Sequence, residues 1–302
     1  MVNTDVNFPD QIKPHPAFAV KKLLNYGFVR LIDVMPSPTD QYPISADDAI
    51  VQAARVSYGK GTKSVSENKS LIHYLIKNKH TSPLEMVEFK FHCRMPIFIA
   101  RQWIRHRTAN VNEYSARYSE VPDIYYIPEI ENIKGQSLSN KQGSDGEISF
   151  NDKEDFIKSL DSLSRESYDL YKKFLDKGVS RETARMMLPI SYYTEWYWKM
   201  DLNNLFHFIK LRNDNHAQYE IRIYAEAIYD IVKQIAPISC EAFEEYVKNS
   251  ILISSLEKEC LHLILNERYT IEEASDKVSS SRNLSKRKKE ELLSTIKNIL
   301  QE

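Results

Sequence analysis

The stretch Arg101-Gln102-Trp103-Ile104-Arg105-His106-Arg107-Thr108-Ala109-Asn110-Val111-Asn112-Glu113-Tyr114-Ser115-Ala116-Arg117-Tyr118 decides how this chain is read. Pro96 stands where a helix can begin, and Ile97, Ala100, Trp103 and Ile104 follow at helical spacing, so a helix is expected to about Arg107. If Asn112 to Tyr118 is extended, Glu113, Ser115 and Arg117 share one face. Four arginines and a histidine lie between residues 101 and 117. A guanidinium is planar, permanently charged and forked, so it matches phosphate better than an ammonium does. Cations are also favoured at a helix C-terminus. Four arginines with a histidine suggest more than one phosphate. An acceptor, a hydroxyl and a guanidinium in a row suit a sugar and its phosphate. The competing reading is that Arg101, Arg105 and Arg117 pair at the surface with Glu113, Glu120 and other acids.

Upstream, Phe28 to Val34 reads as a buried strand, and Ser45 caps a helix through about Val56 with Asp47 and Asp48 in its first turn. A helix is expected over Asn68 to Asn78. Val87, Phe89, Phe91 and Cys93 alternate with Glu88, Lys90, His92 and Arg94, the period of a strand with one buried face. Downstream, the glycine- and serine-rich residues 131–155 read as a long loop. A helix from about Lys153 ends at Gly178. Ser180 caps a short helix that Pro189 stops, and Ile190, Tyr192, Thr194, Trp196 and Trp198 alternate as a strand. Two helices follow, about Leu202 to Leu211 and His216 to Ala236. In the second, Ile221, Tyr224, Ala225, Ile228, Ile231, Val232 and Ile235 make one apolar stripe, a core face. Beyond about Ser250 the chain is helical and highly charged, and Leu292, Leu293, Ile296, Ile299 and Leu300 form a stripe able to dock on the core or on another subunit.

The chain has 302 residues, 42% hydrophobic and 27% charged, with 41 Lys and Arg against 42 Asp and Glu. This balance is that of a soluble globular protein, and a net charge of −1 argues against a dedicated nucleic-acid binder. No apolar run approaches the roughly 18 residues that span a bilayer, and the N-terminus lacks a signal-peptide core. Three dispersed cysteines, Cys93, Cys240 and Cys260, indicate neither a disulfide framework nor a metal ribbon. A cytoplasmic enzyme without a metal is the expectation. With only 7 glycines, neither a dinucleotide fingerprint nor a Walker loop can be built, so side chains must grip any nucleotide.

Arg105-His106-Arg107 followed after seven residues by Ser115 resembles the Arg-His-Arg-x7-Ser signature of flavin-dependent thymidylate synthases. The resemblance continues through Asn112-Glu113-x-Ser115-x-Arg117-Tyr118 and upstream in His80-x-Ser82-Pro83-x-Glu85. It resumes in Arg181-Glu182-x-Ala184-Arg185-x-x-Leu188-Pro189 and in Leu211-Arg212-x-x-x-His216-Ala217-Gln218-x-Glu220. It covers roughly residues 27–250. The fold class it implies is α+β, a single α/β catalytic domain over 27–250. Residues 1–26 form an N-terminal extension and 251–302 a charged helical C-terminal one.

The resemblance implies methylation of dUMP to dTMP with 5,10-methylenetetrahydrofolate as carbon donor and FAD, reduced by NADPH, as hydride donor. It further implies a homotetramer with shared active sites. Arg105, His106 and Arg107 correspond to FAD phosphate contacts, with Ser57, His80, Ser82, Glu113, Asp201, Asn203 and His207 as further cofactor residues. Gln102, Arg105, Glu113, Tyr114, Ser115, Ala116, Arg117, Arg185 and Arg212 correspond to the dUMP site. Arg212 is the expected catalytic residue, holding the uracil ring and favouring its ionised form. No cysteine sits in a nucleophile's context, and Ser115 reads as a phosphate-binding hydroxyl. The rival readings are another flavoenzyme on the same scaffold and a module gripping RNA through Arg101 to Arg117.

Overall fold

The computed structural model describes residues 16–36, 45–56, 68–137, 143–267 and 269–301. The chain begins with β1 (Lys21–Leu23), β2 (Gly27–Met35), α1 (Ala46–Arg55) and α2 (Asn68–Lys77), then β3 (Glu88–Pro96), α3 (Ile97–Trp103) and β4 (Asn110–Glu113). Next come the short strands β5 (Gly135–Gln136) and β6 (Ser144–Gly146), the long α4 (Phe150–Asp176), α5 (Arg181–Ala184) and β7 (Tyr193–Asp201). Three helices follow, α6 (Leu202–Arg212), α7 (Tyr219–Ile235) and α8 (Pro237–Phe243). The last three are α9 (Ser255–Glu267), α10 (Ile271–Ser281) and α11 (Lys286–Gln301).

The main sheet has the order β1-β2-β3-β7-β4, and its neighbours pair antiparallel. Alternation in β3 decides its two faces. Phe89, Phe91, Cys93 and Met95 are fully buried, opposite Trp196 and Trp198 of β7 in the register Phe91↔Trp198 and Cys93↔Trp196. Trp103 at the end of α3 packs edge-on to Trp196 and Trp198, with ring centroids 5.5 and 5.2 Å away. The apolar stripe of α7 is buried throughout. Truncating Trp103 to alanine removes the centre of this cluster and costs about 3–5 kcal/mol. Gly27 faces α7 so closely that a Cβ there would collide with the Tyr224 hydroxyl.

Several expected boundaries move. Helix α3 stops at Trp103 rather than Arg107, because the chain turns at once, His106 N–H bonding the Trp103 carbonyl, to pair Asn110 with Lys199. The extended run expected to Tyr118 ends earlier. The Tyr118 and Ser119 amides both donate to the Ser115 carbonyl at 3.1 and 3.2 Å, a turn that takes Arg117 off the face shared by Glu113 and Ser115. Residues 131–155 are more than a loop: β5 pairs with β6, and α4 starts at Phe150 because Ser149 caps it, its Oγ accepting the Asp152 amide at 3.2 Å. The strand expected from Ile190 begins at Tyr193, since Pro189 and Tyr192 close a turn. The helix expected from His216 begins at Tyr219, after the Asp214 carboxylate takes the His216 amide at 2.8 Å.

By its contacts the chain divides into two units, Met1–Lys248 and Asn249–Glu302. The second has its own core of Cys260, Leu263, Ala274, Val278, Leu292 and Ile296. The α11 stripe therefore packs through Leu292 and Ile296 on α9 and α10. Thr270 and Glu273 form a reciprocal capping box at the start of α10.

Candidate active site

Two elements that end near one another bring Arg212 and His106 together. Helix α6 carries Arg212 in its last turn, and the turn after α3 carries His106. The Arg212 Nε–H donates to His106 Nε2 at 3.0 Å. His106 is buried, its ring edge-on to Phe208 at 5.0 Å and 5.9 Å from His207. Burial first, then the charges of Arg212 and His207, pushes its pKa down from 6.5 to about 4. The imidazole is therefore neutral at pH 7, and since Nε2 accepts, its proton is on Nδ1. Burial also pulls the Arg212 guanidinium below its ordinary value, yet a guanidinium remains a cation throughout the physiological range.

Arg212 lines a cleft of ≈ 1030 Å³ together with Gln102, Gln136, Asp145, Asp214 and His216. The Gln102 Oε1 is buried and has no hydrogen-bond partner among the described residues. Such an orphan costs about 1–3 kcal/mol until a donor fills it. Lys210 also borders the cleft, but its ammonium is taken by the carbonyls of Val247 and Lys248 at 2.6 and 2.8 Å. Arg101, Arg105 and Arg107 are exposed and have no carboxylate partner among the described residues. Surface pairing therefore does not account for them.

A second group of expected site residues does not line that cleft. The Arg117 guanidinium pairs with Glu182 at 3.1 Å, and the Arg185 Nε–H donates to the Glu182 carbonyl at 3.2 Å. The Ser115 Oγ accepts the Arg117 amide at 3.3 Å and has no histidine partner among the described residues. For Arg117 the surface-pairing reading holds. Both members of its pair are about half exposed or more, 51% and 60%, so the pair contributes little and a phosphate can displace it. Tyr114 donates its hydroxyl to the Glu120 carbonyl at 2.6 Å, and Ala116 packs against the small cluster of Val121, Tyr171, Ala184 and Tyr192. None of Glu113, Ser115, Arg117 and Arg185 lines the Arg212 cleft.

The remaining expected cofactor residues fall in three places. His80 and Ser82 are exposed on the turn after α2, the His80 ring 5.6 Å from that of Tyr74. Asp201 caps α6, its carboxylate accepting the Asn204 amide at 2.9 Å and the Asn204 side chain at 2.6 Å. Asn203 is half-buried and His207 exposed on the same helix. The Glu113 carboxylate accepts the Thr194 hydroxyl at 2.6 Å. Ser57 lies outside the described residues.

Residue-type reasoning passed over one cluster on the sheet's polar face. The Glu195 carboxylate is held by His92 Nε2 at 2.6 Å and Arg94 Nε at 2.8 Å. Burial works to raise its pKa, but the His92 and Arg94 contacts prevail and lower it. Its only signal was an acid among the aromatic residues of β7. The three cysteines are buried. Burial lifts the Cys93 and Cys240 thiols well above their usual range and Cys260 to about 11, so none is a thiolate at neutral pH.

Comparison with known proteins gives one direction. A family model described as thymidylate synthase complementing protein matches residues 41–238. The flavin-dependent thymidylate synthase of Dictyostelium discoideum is 54% identical over 242 residues, 80% of this chain and 78% of that one. That of Wolbachia pipientis wMel is 49% identical over 276 residues, 91% of each chain. Among solved structures, the UMP/dUMP methylase PolB from Streptomyces cacaoi, bound with 5-Br dUMP, aligns with a TM-score of 0.64. Its sequence is 30% identical, and the alignment covers 76% of this chain and 99% of that one.

Proposed function

The chain belongs to the flavin-dependent thymidylate synthase family, and from that premise we propose that it methylates dUMP to dTMP, with Arg212 as the catalytic cation. The observation that carries this reading is Arg212, pinned by a neutral His106 on the wall of a large cleft that also holds the unpartnered Gln102 carbonyl. Uracil C5 is a poor nucleophile. Without a thiolate to add at C6, electron density at C5 must come from negative charge on the ring. A fixed guanidinium stabilises that charge without reorganising, an effect worth several kcal/mol in a water-poor site. The carbon donor in this reading is 5,10-methylenetetrahydrofolate.

The cation set fits a flavin dinucleotide. Arg105 and Arg107, exposed and without carboxylate partners among the described residues, suit a diphosphate. In this reading they hold FAD with support from His80, Ser82, Asn203 and His207. When bound, the flavin supplies the hydride that completes the methyl group, and NADPH restores it. The Asp201 carboxylate is already used as a helix cap, so any contact it makes to the cofactor is secondary. His106 is assigned to orienting Arg212, because its accepting nitrogen is occupied by that residue.

Ser115, Arg117 and Arg185 are assigned to the dUMP phosphate. They do not line the cleft that holds Arg212 and Gln102. This supports a shared site, in which one protomer presents the phosphate group and its partner the uracil wall, within the homotetramer that the family resemblance implies.

The test is to purify the protein, record its visible spectrum, and supply dUMP, methylenetetrahydrofolate and NADPH. A yellow protein that makes dTMP is expected. Arg212→Ala should keep the fold and lose at least about a hundredfold in kcat. A yellow protein that makes no dTMP would point to another flavin reaction. A colourless protein that takes up no added FAD would overturn the reading.

A further inference from the structure

Strand β7 turns Thr194, Trp196, Trp198 and Met200 to one face, and all four are buried. Successive side chains of a strand alternate between faces, so Thr194, only 7% exposed, shares the face of the two tryptophans. A valine would fill that position with the same branched shape and the same preference for strand. The hydroxyl is what needs a reason, since a buried hydroxyl without a partner costs stability.

Its partner is Glu113. The register sets Glu113 directly opposite Trp196, so Thr194, two residues along β7, is its diagonal neighbour on the same face. The Thr194 hydroxyl donates to Glu113 Oε1 at 2.6 Å, a short bond of the kind a charged acceptor makes. Beside it the Tyr114 amide donates to the Glu195 carbonyl at 2.7 Å, so the backbone is fixed as well as the side chain. Glu113 itself is exposed. Among the described residues its carboxylate has no cation partner and no second donor, which leaves Oε2 open. An exposed carboxylate ordinarily samples several rotamers and loses that freedom on binding. Here a buried hydroxyl has removed it beforehand.

We infer that Thr194 is a positioning residue of the nucleotide site: by holding one Glu113 oxygen from the buried face, it aims the other at a sugar hydroxyl of the bound nucleotide. The inference rests on the nucleotide reading above, in which Ser115, two residues on, takes the phosphate. A carboxylate oxygen accepts from a hydroxyl and is repelled by a phosphate, so beside Ser115 its partner is the sugar. Both dUMP and FAD carry such hydroxyls, and the experiment separates them.

The experiment uses the full-length protein with Thr194→Val, which removes the hydroxyl and keeps the branched shape, and Thr194→Ser, which keeps the hydroxyl. Thermal unfolding checks the fold, and Thr194→Ala takes the place of the valine variant if that one does not fold. dUMP is titrated calorimetrically, and bound flavin is read from the visible absorbance per protein. Thr194→Val should weaken dUMP binding about five- to twentyfold, the worth of one prepositioned hydrogen bond, raising KM while kcat stays within about twofold. Thr194→Ser should recover most of that loss. Loss of flavin instead of dUMP upholds the positioning role and makes the cofactor the source of the hydroxyl. Unchanged dUMP affinity and flavin content in Thr194→Val overturn the inference. Equal losses in the valine and serine variants also overturn it, because they mark a packing role. If the wild type makes no dTMP, the reaction assignment fails separately, and the dUMP titration and flavin content still decide the role of Thr194. A wild type that binds neither nucleotide overturns it.

Discussion

Arg212 owes its orientation to a residue 106 positions earlier in the chain. Motif spacing marks Arg105, His106 and Arg107 together as candidates for phosphate. It does not separate the two exposed arginines from the buried, neutral histidine between them, because that difference comes from how α3 and α6 meet. His106→Ala should lower kcat/KM about ten- to hundredfold by freeing the guanidinium. His106→Gln, whose carbonyl can still accept from Arg212, should recover most of that loss. Equal losses in both variants, accompanied by lost flavin absorbance, would assign His106 to the cofactor instead. The same residue sets a pH signature. Unfolded, an ordinary histidine takes a proton near pH 6.5, whereas folded His106 resists protonation to about 4. Its contribution to stability is complete above pH 6.5 and is lost as the pH falls across that window. Glu195, whose folded pKa is depressed, loses its contribution in the same direction at lower pH. Urea denaturation of His106→Gln between pH 7 and 4.5 should show a shallower decline than the wild type.

At the scale of elements, what alternates in sequence is legible and what depends on distant packing is not. The β3 faces and the α7 stripe follow from residue type alone, since the apolar positions repeat at 2 and 3.6 residues. The end of α3, the turn over 116–118 and the start of β7 are fixed by where Trp103 packs and by which carbonyl accepts which amide across the fold. Asp47 shows the limit within one helix. Position alone credits it to the dipole of α1, but Ser45 and Asp48 already close that end, the Ser45 hydroxyl donating to Asp48 at 2.9 Å and accepting the Asp48 amide at 3.1 Å. The buried Asp47 carboxylate instead accepts the amides of Ile238 and Ser239 at 2.8 and 2.9 Å and the Ser239 hydroxyl at 2.6 Å. It caps α8, a helix nearly two hundred residues away. Asp47→Ala leaves three donors in a buried pocket and should cost about 2–4 kcal/mol. Asp48→Ala, at a half-buried position of the same turn, should cost about 0.5–1 kcal/mol. Equal midpoints for the two variants in thermal unfolding would return Asp47 to a dipole role.

At the scale of the molecule, the proposed site is divided. Among the described residues, one protomer places Arg212 and Gln102 on one wall, with His106 bonded to Arg212, and Ser115, Arg117 and Arg185 in a group that does not line that cleft. A chain that grips phosphate with one group and polarises uracil with another must bring the two together, and a second copy does so if symmetry sets the group of one protomer against the wall of its partner. This makes a prediction that a self-contained site does not. Arg212→Ala and Arg185→Ala should each be inactive alone, because every site in either oligomer lacks one of the two arginines. In a mixture refolded or co-expressed at equal amounts, a site drawing Arg212 from one parent and Arg185 from the other has both. Random pairing then restores about a quarter of wild-type activity. If both arginines acted within one protomer, every chain in the mixture would still lack one, and activity would stay at the level of the separate variants. The assay needs only dTMP formation and a sizing column to show that the mixed oligomers formed.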